Sequence, residues 1–146
     1  MSATTADFAR HPLRLFQGAP LARRLVIGME ALLASSAAVA GLMMVLRTDG
    51  AWLGMSVELL KRSPFASFLV PGLLLSLVVG GSNVFALMLT VLRSDFARLA
   101  SFVAGATAAI FAAVEVTMIP FSELQPLVMA IGAVVMALSL APARQR

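Results

Sequence analysis

From Ser63 to Leu92 the chain runs for thirty residues without one charged side chain. About 20 apolar residues cross the hydrocarbon core of a bilayer, so this run spans one with some tilt. Backbone in lipid must satisfy its own N–H and C=O groups, which makes a helix the form the stretch takes. On that helix Gly72, Ser76, Gly80 and Asn83, spaced by four, four and three residues, fall on one stripe. The three small residues let a neighbouring helix approach closely, and the Asn83 amide then needs a partner.

Composition extends this to the whole chain. Of 146 residues, 60% are hydrophobic and 12% charged, against about 45–50% and 25% in soluble domains. That balance predicts an integral membrane protein of one domain. Without cysteine there are no disulfides, thiolate metal sites or Cys-based redox chemistry. The single histidine, His11, lies outside every apolar run, which excludes a bis-His haem or a His-rich metal site among the helices. The net charge of +4 comes from arginines beside apolar runs, where positive charge sets membrane orientation. No nucleic-acid partner is expected; the expected partners are the lipid bilayer and another membrane protein or a second copy.

In chain order, residues 1–22 read as a basic cytoplasmic or interfacial N-terminal segment, with Arg10, His11 and Arg14 alternating with Phe8, Leu13, Leu15 and Phe16. Residues 23–142 read as a transmembrane domain with spans at about 24–46, 64–92, 99–119 and 124–141, and 143–146 as a basic cytoplasmic tail. The first span begins like a signal peptide, with Arg23-Arg24 and then Ala38-Val39-Ala40, but Glu30 interrupts it and the apolar run continues to Leu46, so it is expected to be retained. Leu53, Val57 and Leu60 share a helical face beside Trp52, which predicts a short interfacial helix between the first two spans. Ser63-Pro64 is placed to start the second span, and Pro71-Gly72 to kink or restart it. In the third, Ser101, Gly105, Ala109, Ala113 and Thr117 recur every four residues, and Ala104, Ala108 and Ala112 form a second small stripe. The predicted fold class is all-α, a four-helix transmembrane bundle. Eight Lys and Arg on one side against three on the other place both termini in the cytoplasm.

Ionisable groups inside a membrane are costly and point to function by default. Glu30, Ala34, Ala37 and Gly41 form a stripe on the first span that matches Asn83, Gly80, Ser76 and Gly72 on the antiparallel second. The match sets Glu30 beside Asn83 and Gly41 beside Gly72. Glu30 is then either a hydrogen-bonded glue between helices or a proton- or ligand-binding group. Glu115, with Thr117, Glu123 and Gln125, clusters near the outer surface, as a solvated helix end or as an outward-facing pocket between spans three and four. The candidate ligand- or proton-binding residues are therefore Glu30, Asn83, Glu115 and Gln125, and the helix-packing set is Ala34, Ala37, Gly41, Gly72, Ser76, Gly80, Ser101, Gly105 and Ala109. Two carboxylates fall short of a hard-metal site. Met129 and Met136 share a face but are too few soft ligands for copper. No metal, cofactor or catalytic residue is expected, and no Walker, Rossmann, GxSxG or HExxH pattern occurs.

The run SPFASFLVPGLLLSLVVGG, preceded by Gly54-Met55 and followed later by Leu124-Gln125-Pro126 and Gly132, resembles a group of uncharacterised small bacterial four-span membrane proteins, loosely DoxX-like. Where that group leads one to expect Trp and Gln in span three, this chain has Phe111 and Glu115. The resemblance implies a four-helix architecture in a bacterial inner membrane and no particular chemistry. The functional expectation is a small non-enzymatic accessory or interaction subunit, or a binder of lipid or another hydrophobic ligand. The alternatives are a proton-coupled small transporter using Glu30 and a membrane enzyme on a lipophilic substrate with Glu115 as base.

Overall fold

The computed structural model describes residues 20–120 and 122–140; most of the basic segment 1–22 and all of the tail 143–146 lie outside them. The described residues are helical, without a strand. Helix α1 is Pro20–Leu46, α2 is Leu69–Val91, α3 is Ala97–Met118 and α4 is Leu124–Leu140. The first three are long and apolar enough to cross a membrane, and α4 is a shorter apolar helix.

Side-chain size is distributed in the reverse of a soluble domain. The interior is lined by small residues, among them Ala34, Ala37, Ala86, Ala104, Ala108 and Ala112. Large apolar side chains such as Leu32, Leu77, Phe85 and Ile110 point outward and are more than half exposed. A soluble protein does not carry so extensive an apolar exterior, whereas in lipid it costs nothing and close packing must come from small residues. An ideal Cβ on Gly41 would stand 2.6 Å from the Gly72 carbonyl oxygen of α2, and one on Gly105 2.7 Å from that of Gly132 on α4. These backbone contacts fix the α1–α2 and α3–α4 pairs.

The connection between α1 and α2 differs from the expected interfacial helix. It forms two short 3₁₀ turns, Ala51–Leu53 and Val57–Arg62. Gly50 and Gly54 break the segment with φ of 78° and 66°, a region where glycine is at ease. Arg47 pairs with Asp49 at 2.9 Å, and Asp49 Oδ1 accepts the Ala51 N–H at 3.1 Å. Lys61 pairs with Glu58 at the surface. The fully buried Phe68 donates its N–H to the Thr48 carbonyl at 2.9 Å, which draws residues 63–68 back against the loop. The second helix therefore starts at Leu69 and not at Ser63-Pro64, and Pro71 sits in its first turn, where its missing N–H has no partner to lose.

The irregularity in α2 falls later. Leu69–Leu73 is α-helical, Leu74–Gly80 is a π-helix and Gly81–Val91 is α-helical again. A π turn, bonded i to i+5, carries more residues per turn than an α-helix and changes the register of everything after it. At its C-terminus α2 closes with Ser94 N–H on the Leu89 carbonyl (2.9 Å) and Arg93 N–H on that of Thr90 (3.3 Å), with Arg93 left-handed at φ 56°. This is the pair of bonds of a Schellman motif, and it turns the chain directly into the antiparallel α3.

Candidate functional site

The π segment alters which residues of α1 and α2 meet. Gly72 lies against Gly41 and Met44, but Ser76 also lies against Gly41, and Gly80 against Ala38 at 3.3 Å. A regular helix would have set Ser76 near Ala37 and Gly80 near Ala34. Beyond Gly72 the partners are displaced by about one turn. Glu30 comes within range of the hydroxyls of Thr90 and Ser101, and it shares no hydrogen bond with Asn83. Of the expected Glu30–Asn83 pairing, through one hydrogen bond or one bridging water, the direct bond is not formed.

Glu30, Asn83, Thr90 and Ser101 are all fully buried. They belong to a polar seam where α1 packs on α2 and α3. Thr90 and Ser101 hydroxyls bond to each other at 3.2 Å, Ser82 and Thr107 hydroxyls at 2.9 Å, and the Asn83 amide donates to the carbonyls of Val79 (2.9 Å) and Ala104 (3.4 Å). At the end of the seam Arg23 donates to the carbonyls of Thr90 (3.1 Å) and Val91 (3.0 Å), a cation on the carbonyl end of α2. Among the described residues three buried side-chain atoms stay without a hydrogen bond: both carboxyl oxygens of Glu30 and Oδ1 of Asn83. The Thr90 and Ser101 hydroxyls stand near the carboxyl, but neither makes a hydrogen bond of sound geometry to it. Such orphans are rare in folded proteins and mark a proton, an ordered water or strain.

The second region is a cavity of about 330 Å³ in the half of the molecule nearer the α1–α2 connection. Its walls come from three elements: Pro71, Leu74 and Val78 of α2, Thr107 through Met118 of α3, and Leu60, Ser63, Phe65 and Phe68 of the connection, with Met44 of α1 at the back. Its lining is overwhelmingly apolar, and Glu115 is its single ionisable side chain. No hydrogen bond or charge among the described residues engages the Glu115 carboxyl. The cavity lies between α2, α3 and the loop, and not between α3 and α4. Glu123 and Gln125 take no part in it. Gln125 is buried at the start of α4, where its Oε1 accepts the Ser122 N–H at 3.1 Å, a local cap.

Sequence reasoning placed Glu115 but missed Phe65, Phe68 and Val78 beside it, because three separate segments converge only in the fold. No cluster of three or more His, Cys, Asp or Glu able to hold a metal occurs among the described residues. No protein family, curated protein or solved structure matches the chain. The functional reading therefore rests on the geometry of these two regions.

Proposed function

We propose that this chain is a small, non-enzymatic integral protein of a bacterial inner membrane, a four-helix bundle with both termini in the cytoplasm, which binds a hydrophobic ligand in the cavity between α2, α3 and the α1–α2 connection. The observation that carries the reading is the cavity itself. Its volume of about 330 Å³ falls at the small end of ligand sites, ~300–1,000 Å³, and like them it is apolar with very few polar groups. Three long apolar helices with large side chains outward support membrane insertion. At 17 residues, α4 reaches the lower limit for a span, about 17 residues. The eight-to-three bias of Lys and Arg supports the orientation, and reporter fusions at both ends test it; a periplasm-only reporter active at either end rejects it.

The binding reading is tested with a photoactivatable alkyl alcohol in nanodiscs. The reading expects labelling concentrated on α3 between Ile110 and Ile119, and its loss when Val78→Trp with Val114→Trp fills the space. Labelling spread evenly over the lipid-facing surface of all the helices rejects it.

The unpartnered Glu30 carboxyl favours a second reading, proton-coupled transport, in which Glu30→Gln abolishes flux of protons in liposomes without unfolding the protein. An enzyme using Glu115 as general base lacks support, because such a base needs a group that orients it, and its carboxyl has none among the described residues.

A further inference from the structure

The cavity wall specifies the head of its ligand as well as its tail. We infer that the ligand is a single-chain lipophilic amine, its ammonium group on the Glu115 carboxyl and its alkyl chain running along α3 toward Thr107. The inference rests on the ligand-binding reading of the same cavity and adds the chemistry of the head group.

Four observations lead to it. First, the polar groups of the lining other than Glu115 are already used. Ser63 Oγ donates to the Leu60 carbonyl (2.9 Å) and accepts from the Phe65 N–H (3.3 Å), while Thr107 Oγ1 donates to the Ala104 carbonyl (2.8 Å) and shares a bond with Ser82. Glu115 alone is unspent. Second, an ionised carboxyl only accepts, and a charge-assisted bond from an ammonium is the strongest it makes. Third, no basic residue lines the cavity. Lys61 and Arg62, the cations beside it in sequence, are exposed on the connection, and Lys61 is paired with Glu58. A fatty acid or a phosphate head would face Glu115 with nothing to offset the repulsion. Fourth, Glu115 lies one turn from the end of α3 at Met118, and Thr107 lies deeper. Head and tail of an amphiphile in that half of a bilayer take the same order. Eight residues at 1.5 Å each make about 12 Å, room for one extended chain of about ten carbons. The volume of about 330 Å³ suits one chain and not a two-chain phospholipid.

The test uses three photoactivatable probes with the same ten-carbon chain, ending in a primary amine, an alcohol or a carboxylate, with the protein in uncharged phosphatidylcholine nanodiscs at neutral pH. Labelling of the Ile110–Ile119 peptide is read by mass spectrometry. The amine should label about tenfold more than the alcohol, as one charge-assisted bond supplies, and the carboxylate least. Glu115→Gln should bring the amine down to the level of the alcohol, with a smaller fall for the alcohol, which loses only a neutral donor's bond to the carboxylate. Equal labelling by amine and alcohol in the unaltered protein, or an amine preference that survives Glu115→Gln, overturns the inference while the cavity reading stands. If no probe labels α3 above the lipid-facing background, or filling with Val78→Trp and Val114→Trp leaves alcohol labelling intact, the cavity reading fails and the inference with it. A variant that no longer elutes as a folded species is replaced by Glu115→Ser, for which the same loss of amine preference is expected.

Discussion

Glu30 and Glu115 are both carboxyls on apolar helices, yet their surroundings are opposite. Glu30 faces the hydroxyls of Thr90 and Ser101, with Val26 and Ala34 one turn away on its own helix, side chains that are themselves almost wholly buried. Glu115 stands on the wall of a void bounded by Phe65, Phe68, Phe111 and Met118. The difference follows from residue size. Along the seam, Ala, Ser, Thr and Gly bring the helix backbones together and leave no room for a ligand. Near the connection, bulky side chains and the returning segment 63–68 hold α2 and α3 apart. A polar group in a close-packed seam helps specify how helices meet, whereas one beside a void is available to something that enters. Similar residue types thus acquire different roles from the packing around them.

The widest gap between the two environments should appear on enlarging a side chain in each. Gly41→Leu places a Cβ 2.6 Å from backbone of α2, which no rotamer change relieves. It should destabilise the protein by about 3 kcal/mol or more, the upper range for overpacking. Val114→Phe at the cavity should stay within ~0.5 kcal/mol, as a change in open space does. Unfolding midpoints in mild detergent with graded SDS compare the two, and equal losses would erase the contrast.

Chemical access should separate the acids next. A small carbodiimide applied to the protein in vesicles should modify Glu115 at least ~10-fold faster than Glu30, a factor equivalent to about 1.4 kcal/mol of access. Glu30 is fully buried and Glu115 only partly so. Equal rates would mean that the seam opens to solvent as readily as the cavity.

A smaller effect is expected on removing the carboxyl from the seam. Glu30→Gln should leave the unfolding midpoint nearly unchanged, since an amide keeps shape and hydrogen-bonding capacity. Glu30→Leu removes two orphaned acceptors and should shift stability by no more than ~1 kcal/mol, in the stabilising direction. Hydrogen bonds between membrane helices average only ~0.6 kcal/mol, so a loss of several kcal/mol in Glu30→Leu would show that the carboxyl has a structural partner after all.

Much of the scaffold is legible in the sequence for a plain reason. The apolar runs that became α1, α2 and α3 are long, with few charges inside them, and lipid leaves their backbone no alternative to a helix. The approach of Gly41 to Gly72 is likewise readable from small residues at helical spacing. The pairing of Glu30 is not, because a π segment at Leu74–Gly80 that residue spacing does not announce changes the register of α2, and the hydroxyl of Thr90, about two turns beyond Asn83, comes near the carboxyl. The cavity is not legible either. Phe68 reads as another apolar residue of a span until its N–H is seen on Thr48, and only that contact turns residues 63–68 from helix into wall.

The finest distinction between the regions concerns the wall formed by the connection, and proton concentration can test it. Arg47 beside Asp49, together with the Ala51 N–H, holds the Asp49 carboxyl below the usual carboxylate range. A carboxyl lowered in the folded state adds stability that is fully present above its unfolded value, ~3.9, and is lost as pH falls through the folded value. Both side chains are exposed, so the effect is local and small. Trp52, the single tryptophan of the chain, lies in the 3₁₀ turn whose first N–H, that of Ala51, is accepted by Asp49, so its fluorescence anisotropy reports on this corner alone. As pH falls below ~4, anisotropy should decline modestly, and labelling of α3 by the alkyl alcohol should rise as the wall loosens. Asp49→Asn should flatten the pH response. The Arg23 contacts to Thr90 and Val91, which involve no carboxyl, should give no transition over the same range, and a crosslink placed between residues 23 and 91 should form at a constant yield. A matching transition at both ends would show that the connection and the seam loosen as one unit, and the two carboxyls would then share a single environment rather than two.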